Sequence, residues 1–121
     1  MTKKILTVDD SATMRTMLRA ALSNAGFEVV QAEDGLEGLK ALDGQSYDVI
    51  ITDVNMPNMD GLEFLEALRT RAEHKSTPVL VLTTESGPEK KARARQAGAT
   101  GWLVKPFDPE KLVATIRRVS P

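Results

Sequence analysis

The apolar positions of this chain alternate between two rhythms: short runs with little polar interruption, then stretches in which apolar residues recur every three or four positions. Residues 5–8 (Ile, Leu, Thr, Val) form the first run, which ends at Asp9 and Asp10. Beyond Ser11, the positions Met14, Met17, Leu18, Ala21 and Leu22 keep the spacing of one helix face and predict a buried stripe. Gly26 stops this helix, because glycine takes the left-handed C′ conformation without a Cβ clash. A second strand is predicted over 27–32. A turn at Glu33, Asp34 and Gly35 then leads into a short helix marked by Leu36, Leu39 and Leu42. The third strand, 48–53, is apolar at Val49, Ile50 and Ile51, so both of its faces are expected to be covered.

The loop 55–61 (Asn, Met, Pro, Asn, Met, Asp, Gly) precedes a helix with Leu62, Leu65 and Leu68 inward. Pro78 opens a fourth strand, 79–83, again apolar without alternation. Ser86, Gly87, Pro88 and Glu89 read as a helix start with Pro near N1. That helix, running to Gln96, is rich in Ala and Arg and has only a weak apolar stripe, which predicts a loosely held element. Gly98 and Gly101 frame the turn into a short fifth strand, 102–104. Asp108, Pro109 and Glu110 combine an N-cap, an N1 proline and an acidic first turn. The last helix directs Leu112, Val113, Ile116 and Val119 inward. Strand and helix thus alternate five times in 121 residues, with no linker and no repeat. The expected fold class is α/β, a doubly wound parallel sheet with helices on both faces and right-handed crossovers, and a single domain is expected over 1–121.

Charge and composition narrow the function classes. Sixteen Lys and Arg against seventeen Asp and Glu leave a net charge of −1, without the electrostatic footprint of a nucleic-acid or anionic-membrane binder. The absence of Cys excludes disulfides, thiol nucleophiles and zinc–thiolate sites. The one histidine, His74, excludes a polyhistidine metal site; it lies in the polar stretch 71–77 and is expected to be a solvated surface residue. No apolar run approaches the roughly 20 residues of a membrane span, and residues 1–4 lead straight into a strand rather than a signal sequence. A cytoplasmic location is expected. Met14 and Met17 are expected in the core and Met56 and Met59 in loop packing. Lys90, Lys91, Arg93 and Arg95 form a basic helix face.

Candidate chemistry gathers at the strand ends. In open α/β sheets, sites lie beyond the carboxyl ends of the strands, where the strand order reverses. Asp9 and Asp10 follow the first strand, Asp53 ends the third, Thr83 ends the fourth and Lys105 follows the fifth. If the first and third strands flank the reversal, three carboxylates converge, with a hydroxyl and an ammonium opposite them. Such carboxylates repel one another unless a cation intervenes. Mg²⁺ suits a few carboxylates that leave room for water and phosphate. A carboxylate can itself be the nucleophile, forming an acyl phosphate, so the set reads as an aspartyl phosphorylation site. Taken singly, Asp9 and Asp10 read equally well as helix caps, Asp53 as a turn residue, Thr83 as an ordinary strand residue and Lys105 as a solvated loop residue.

Four motifs now carry a resemblance: V-D-D-S at 8–11, I-I-T-D-V-N-M-P-N-M-D-G at 50–61, V-L-T-T-E at 81–85 and K-P-F at 105–107. In this order they resemble the receiver domain of two-component response regulators over the whole chain, and most of all the stand-alone chemotaxis regulators of the CheY type. The resemblance implies the strand order 2-1-3-4-5. It implies that Asp53 accepts a phosphoryl group from a phosphohistidine on a CheA-like sensor histidine kinase. Asp10 would bind Mg²⁺ directly, Asp9 largely through water, and Asn55 through its backbone carbonyl, with Asp53 also among the ligands. Lys105 would pair with a phosphoryl oxygen across a cis Lys105–Pro106 peptide, and the Thr83 hydroxyl would bond another. Asn55 and Glu85 hold the positions that tune hydrolysis of the acyl phosphate. Trp102 stands where the family usually has Tyr or Phe as its rotating switch, although a lone Trp on an edge strand also reads as packing. Thr84 stands where Ala or Gly is usual. A phosphoacceptor protein rather than an enzyme is implied. It would be a monomer whose output is protein contact, with a flagellar motor switch protein and a phosphatase as further partners. The rivals within the family are a phosphorelay intermediate, a phosphate sink, or a receiver cut from a longer DNA-binding regulator. A flavodoxin-like protein would need a hydroxyl- and glycine-rich loop where Asp9 and Asp10 stand. An aspartate-nucleophile phosphatase would want those two Asp residues spaced by one.

Overall fold

Strands that are apolar on both faces are stable only between two helical layers, and the chain builds that arrangement. The computed structural model describes residues 2–84 and 87–121. Its elements are β1 (Lys4–Val8), α1 (Ala12–Asn24), β2 (Glu28–Ala32), α2 (Gly35–Leu42), β3 (Val49–Thr52), α3 (Gly61–Arg69), a single 3-10 turn (Ala72–His74), β4 (Val79–Thr83), α4 (Pro88–Ala97), β5 (Gly101–Val104) and α5 (Pro109–Val119). All neighbouring strands pair in parallel, in the order β2-β1-β3-β4-β5. The reversal falls between β1 and β3, as expected. Val8 lies opposite both Ala32 and Thr52, so the chain steps off β1 and β3 at the same sheet edge.

Strand alternation sorts the apolar runs into two cores. Ile5, Val49, Ile51, Leu80 and Leu82 pack on Leu18 and Leu22 of α1 and on Leu112 and Ile116 of α5. Leu6, Val8, Ile50 and Val79 pack on Leu42 of α2 and on Phe64, Leu65 and Leu68 of α3. A smaller cluster of Val54, Leu62, Val81 and Ala94 sits under α4, and Ala94 is the buried residue that helix contributes. With so little burial α4 is lightly anchored, in line with its weak stripe.

Two expectations about burial, at Met17 and His74, fail for geometric reasons. Met17 is 45% exposed. It lies one residue step, about 100° of helix rotation, from the fully buried Leu18, at the edge of the stripe rather than within it. Leu36 is also 45% exposed, because two three-residue steps back from buried Leu42 drift about 120° around α2. His74 is completely buried, not solvated. The Arg69 guanidinium gathers the carbonyls of His74, Thr77 and Gly98, each at 2.7 Å, and so draws the polar stretch against the turn before β5. His74 Nδ1 lies 3.3 Å from Thr77 Oγ1 inside this clasp.

The helix starts are defined by side chains: Asp34 accepts from the Glu37 amide at 2.9 Å, and Asp60 and Glu63 form a reciprocal capping box. Gly98 ends α4 at φ 106°, a left-handed conformation that a Cβ would strain. Gly61 meets a tighter limit, since a Cβ there would stand 1.8 Å from the Asp53 carbonyl oxygen. The loop after β3 returns to that carbonyl only because Gly61 has no side chain. Gly61→Ala is therefore expected to destabilise the fold by about 3 kcal/mol, read as a lower urea midpoint at unchanged m. A variant as stable as the parent would show that the loop relaxes freely.

Candidate functional site

At the carboxyl edge of the sheet, Asp9 leaves β1 and Asp53 leaves β3, held by backbone bonds from Asp9 N to Ala32 O (3.1 Å) and Asp53 N to Val8 O (2.9 Å). Asp9, Asp10 and Asp53 each bring a carboxylate oxygen within 4.8 Å of the others. Asp9 and Asp53 are buried, while Asp10 faces solvent. Across from them Lys105, placed by its own amide bonding to Thr83 O at 2.8 Å, aims its ammonium between the two buried acids. Lys105 Nζ donates to Asp9 Oδ2 at 2.8 Å and to Asp53 Oδ2 at 3.1 Å. The remaining oxygens are also engaged: Asp9 Oδ1 accepts from Ser11 N at 2.9 Å and Asp53 Oδ1 from Val54 N at 2.7 Å. The Lys105–Pro106 peptide is cis, in line with the resemblance. Thr83 is fully buried at the end of β4.

The profile of the response regulator receiver domain matches residues 5–117. This chain belongs to that family. The receiver is 41% identical over 111 residues to the chemotaxis protein CheY1 of Helicobacter pylori, covering 90% of each chain. It superposes on the chemotaxis protein CheY4 of Vibrio cholerae with a TM-score of 0.95 at 51% identity, covering 98% of this chain and 99% of the other. The receiver domain of a sensor histidine kinase from Pseudomonas aeruginosa, solved with a magnesium ion coordinated in its active site cleft, aligns with a TM-score of 0.91 at 27% identity, covering 98% of this chain and 97% of the other.

The electrostatics of the receiver follow from two buried acids sharing one ammonium. Burial pushes the Asp53 carboxyl above its ordinary value, and the charge of Asp9 adds to it; Lys105 and the Val54 amide pull it down without cancelling the rise. Burial draws the Lys105 ammonium down, yet its hydrogen bonds to Asp9 and Asp53 and their charges outweigh burial and leave it raised. The lysine gains from both acids, whereas each acid has half a lysine, so Asp53 remains under-compensated. An all-oxygen donor set with surplus negative charge fits a hard divalent cation.

Not all of the positions expected from sequence meet at the mouth. Asp9, Asp10, Asp53 and Lys105 come together within direct reach. Thr83 flanks them in the buried sheet edge, and Asn55 stands exposed two residues beyond Asp53. Trp102 lies on β5 opposite Val81, partly buried against the cluster under α4, with its indole nitrogen enclosed and, among the described residues, without a hydrogen-bond partner. Thr84 is exposed. Glu85 lies outside the described residues. Two supports went unrecognised in the sequence. Ser11, read only as the end of the V-D-D-S motif, caps α1 in place of Asp9 or Asp10 and presents its amide to Asp9. Asn58, at φ 68°, donates to Asp34 Oδ2 at 2.9 Å and ties the loop after Asp53 to the start of α2. No local spacing announces that tether; it depends on β1 separating β2 from β3.

The raised Asp53 pKa has a stability consequence with a definite sign. The neutral form favours the fold, so this contribution is complete below the ordinary value of 3.8 and is lost as pH rises through the higher folded-state value. In metal-free buffer Asp53→Asn should melt higher than the parent at pH 7, with the gap closing as pH falls toward 3.8. A variant that melts no higher at pH 7 would contradict this account of the site.

Proposed function

We propose that this chain is a single receiver over residues 1–121 that takes a phosphoryl group onto Asp53 from the phosphohistidine of a sensor histidine kinase, in a Mg²⁺-dependent reaction. The observation that carries this reading is the Lys105 ammonium held at 2.8 and 3.1 Å between two buried carboxylates, with a third carboxylate beside them. Asp10 would hold Mg²⁺ directly, Asp9 largely through water and Asn55 through its backbone carbonyl, and the ion would supply positive charge beside the carboxylates and the transferring group. An Asp53 carboxylate oxygen attacks phosphorus as the bond to the imidazole nitrogen breaks, and the electron pair leaves with the imidazole. Lys105 turns to a phosphoryl oxygen and the Thr83 hydroxyl to another, stabilising the charge that develops there. Asn55 and Glu85 set how water reaches the acyl phosphate.

Phosphorylation adds roughly −1.5 to −2 of charge beside Lys105 and Thr83. Thr83 and then Trp102 respond, reshaping the surface of α4, β5 and α5. The likeness to chemotaxis proteins of Helicobacter pylori and Vibrio cholerae supports an output to the flagellar motor switch, with the chain acting as a cytoplasmic monomer and a phosphatase closing the cycle. Among the described residues no helix is long and apolar enough to cross a membrane. The likeness to a receiver domain of a sensor histidine kinase favours a second reading, a phosphorelay intermediate or phosphate sink without motor contact.

Asp53→Asn should abolish labelling by a small acyl phosphate in Mg²⁺, and Asp10→Asn should raise the Mg²⁺ needed by more than about tenfold. Labelling that survives Asp53→Asn would move the acceptor elsewhere. A pulldown of the motor switch protein should depend on phosphorylation. Absence of binding in both states would leave the relay reading in its place.

A further inference from the structure

The acidic mouth contains one carboxylate whose direction nothing on its own side chain sets. Asp10 is exposed, and among the described residues its carboxylate makes no hydrogen bond. Its position therefore rests on the peptide joining Asp9 to Asp10. The carbonyl of that peptide belongs to Asp9 and stands outside the hydrogen-bond ladder of α1, whose N-cap is Ser11. It accepts from Arg15 Nη1 at 2.8 Å. Arg15 is well placed to hold it. Its side chain is 20% exposed, and its Nη2 lies 4.0 Å from Glu33 Oε1. Its backbone carbonyl accepts from Gln31 Nε2 at 2.7 Å, and the same nitrogen reaches Thr7 Oγ1 at 3.1 Å. The Arg15 backbone is thus tied through Gln31 to β2 and β1, while its guanidinium grips the turn that carries Asp10.

We propose that Arg15 is a positioning residue for the cation site, fixing the Asp9–Asp10 peptide so that the Asp10 carboxylate meets the cation at its working distance from Asp9 and Asp53. This rests on the reading that the acidic mouth takes Mg²⁺. The residue acts in two opposed ways. As a positive charge near three carboxylates it repels a second cation, so its removal on charge grounds alone would tighten Mg²⁺. As a clamp on the backbone it orders the ligands, so its removal on positioning grounds weakens Mg²⁺. The sign of the change decides between them.

The test is calorimetric titration of the intact chain with Mg²⁺, with labelling by a small acyl phosphate at saturating Mg²⁺ as a second readout and a cooperative melt confirming the fold of each variant. Arg15→Gln is expected to weaken Mg²⁺ by about tenfold, as loss of an outer hydrogen-bond partner to a metal ligand does. Labelling at saturating Mg²⁺ stays near the parent rate, because the chemistry is untouched once the cation is in place. Arg15→Lys, which keeps the charge and one donor, recovers part of the affinity. Glu33→Gln, at the exposed far end of the guanidinium, leaves it near the parent value. Equal or tighter Mg²⁺ in Arg15→Gln, or an Arg15→Lys weaker than Arg15→Gln, overturns the positioning role while leaving the proposed function intact. A parent chain that takes up no Mg²⁺ overturns both.

Discussion

The arrangement of this protein turns on one electrostatic constraint: two carboxylates, Asp9 and Asp53, are buried side by side and must be given a cation. Lys105 supplies it from the far side of the sheet, bridging the pair at 2.8 and 3.1 Å. For one ammonium to reach both acids, β1 and β3 must be adjacent and end level, and the turn after β5 must aim a lysine across β4. The strand order and the register of Val8 against Thr52 meet that requirement. The flanking supports serve the same end. Gly61 lets the loop return to the Asp53 carbonyl, Ser11 and Val54 donate amides to the acids, and Asn58 ties the loop to Asp34.

One lysine between two acids is also an incomplete solution, and the incompleteness is useful. Asp53 stays under-compensated, so the folded chain holds a site that a divalent cation and a phosphoryl group would complete rather than disturb. Under the proposed function, stability is surrendered at the place where chemistry needs a strained charge balance, and it is recovered when ligands arrive.

Under the proposed function, the other half of the switch is an element that is weakly held. The helix α4 buries little beyond Ala94, and Trp102 beside it carries an indole nitrogen that finds no partner among the described residues. A lightly anchored helix next to an incompletely satisfied aromatic has few contacts to lose when it shifts. That is the physical property an output surface requires, and it contrasts with α1, α3 and α5, whose leucines and isoleucines reach the two main cores.

Much of this was legible in the residues. Unbroken apolar runs implied strands covered on both faces, the Leu62, Leu65 and Leu68 stripe implied an inward helix face, and acids at the ends of the first and third strands implied a shared mouth if those strands are neighbours. These features are local, because side-chain periodicity and chain direction set them within a few residues. What the sequence left open were contacts between segments distant in the chain. His74 reads as solvated because its neighbours are polar, yet Arg69 buries it by collecting backbone carbonyls, which every residue possesses and no motif announces. Met17 reads as buried because spacing alone does not say where a stripe ends; the packing of the neighbouring sheet and helices does. The roles of Arg15 and Asn58 were not legible either: Arg15 grips a backbone carbonyl, which no motif announces, and Asn58 meets Asp34 only when the sheet forms. The sequence by itself determined which groups meet at the mouth; the tertiary structure decided how each is held, because orientation depends on packing and hydrogen bonds that exist only after the strands have paired.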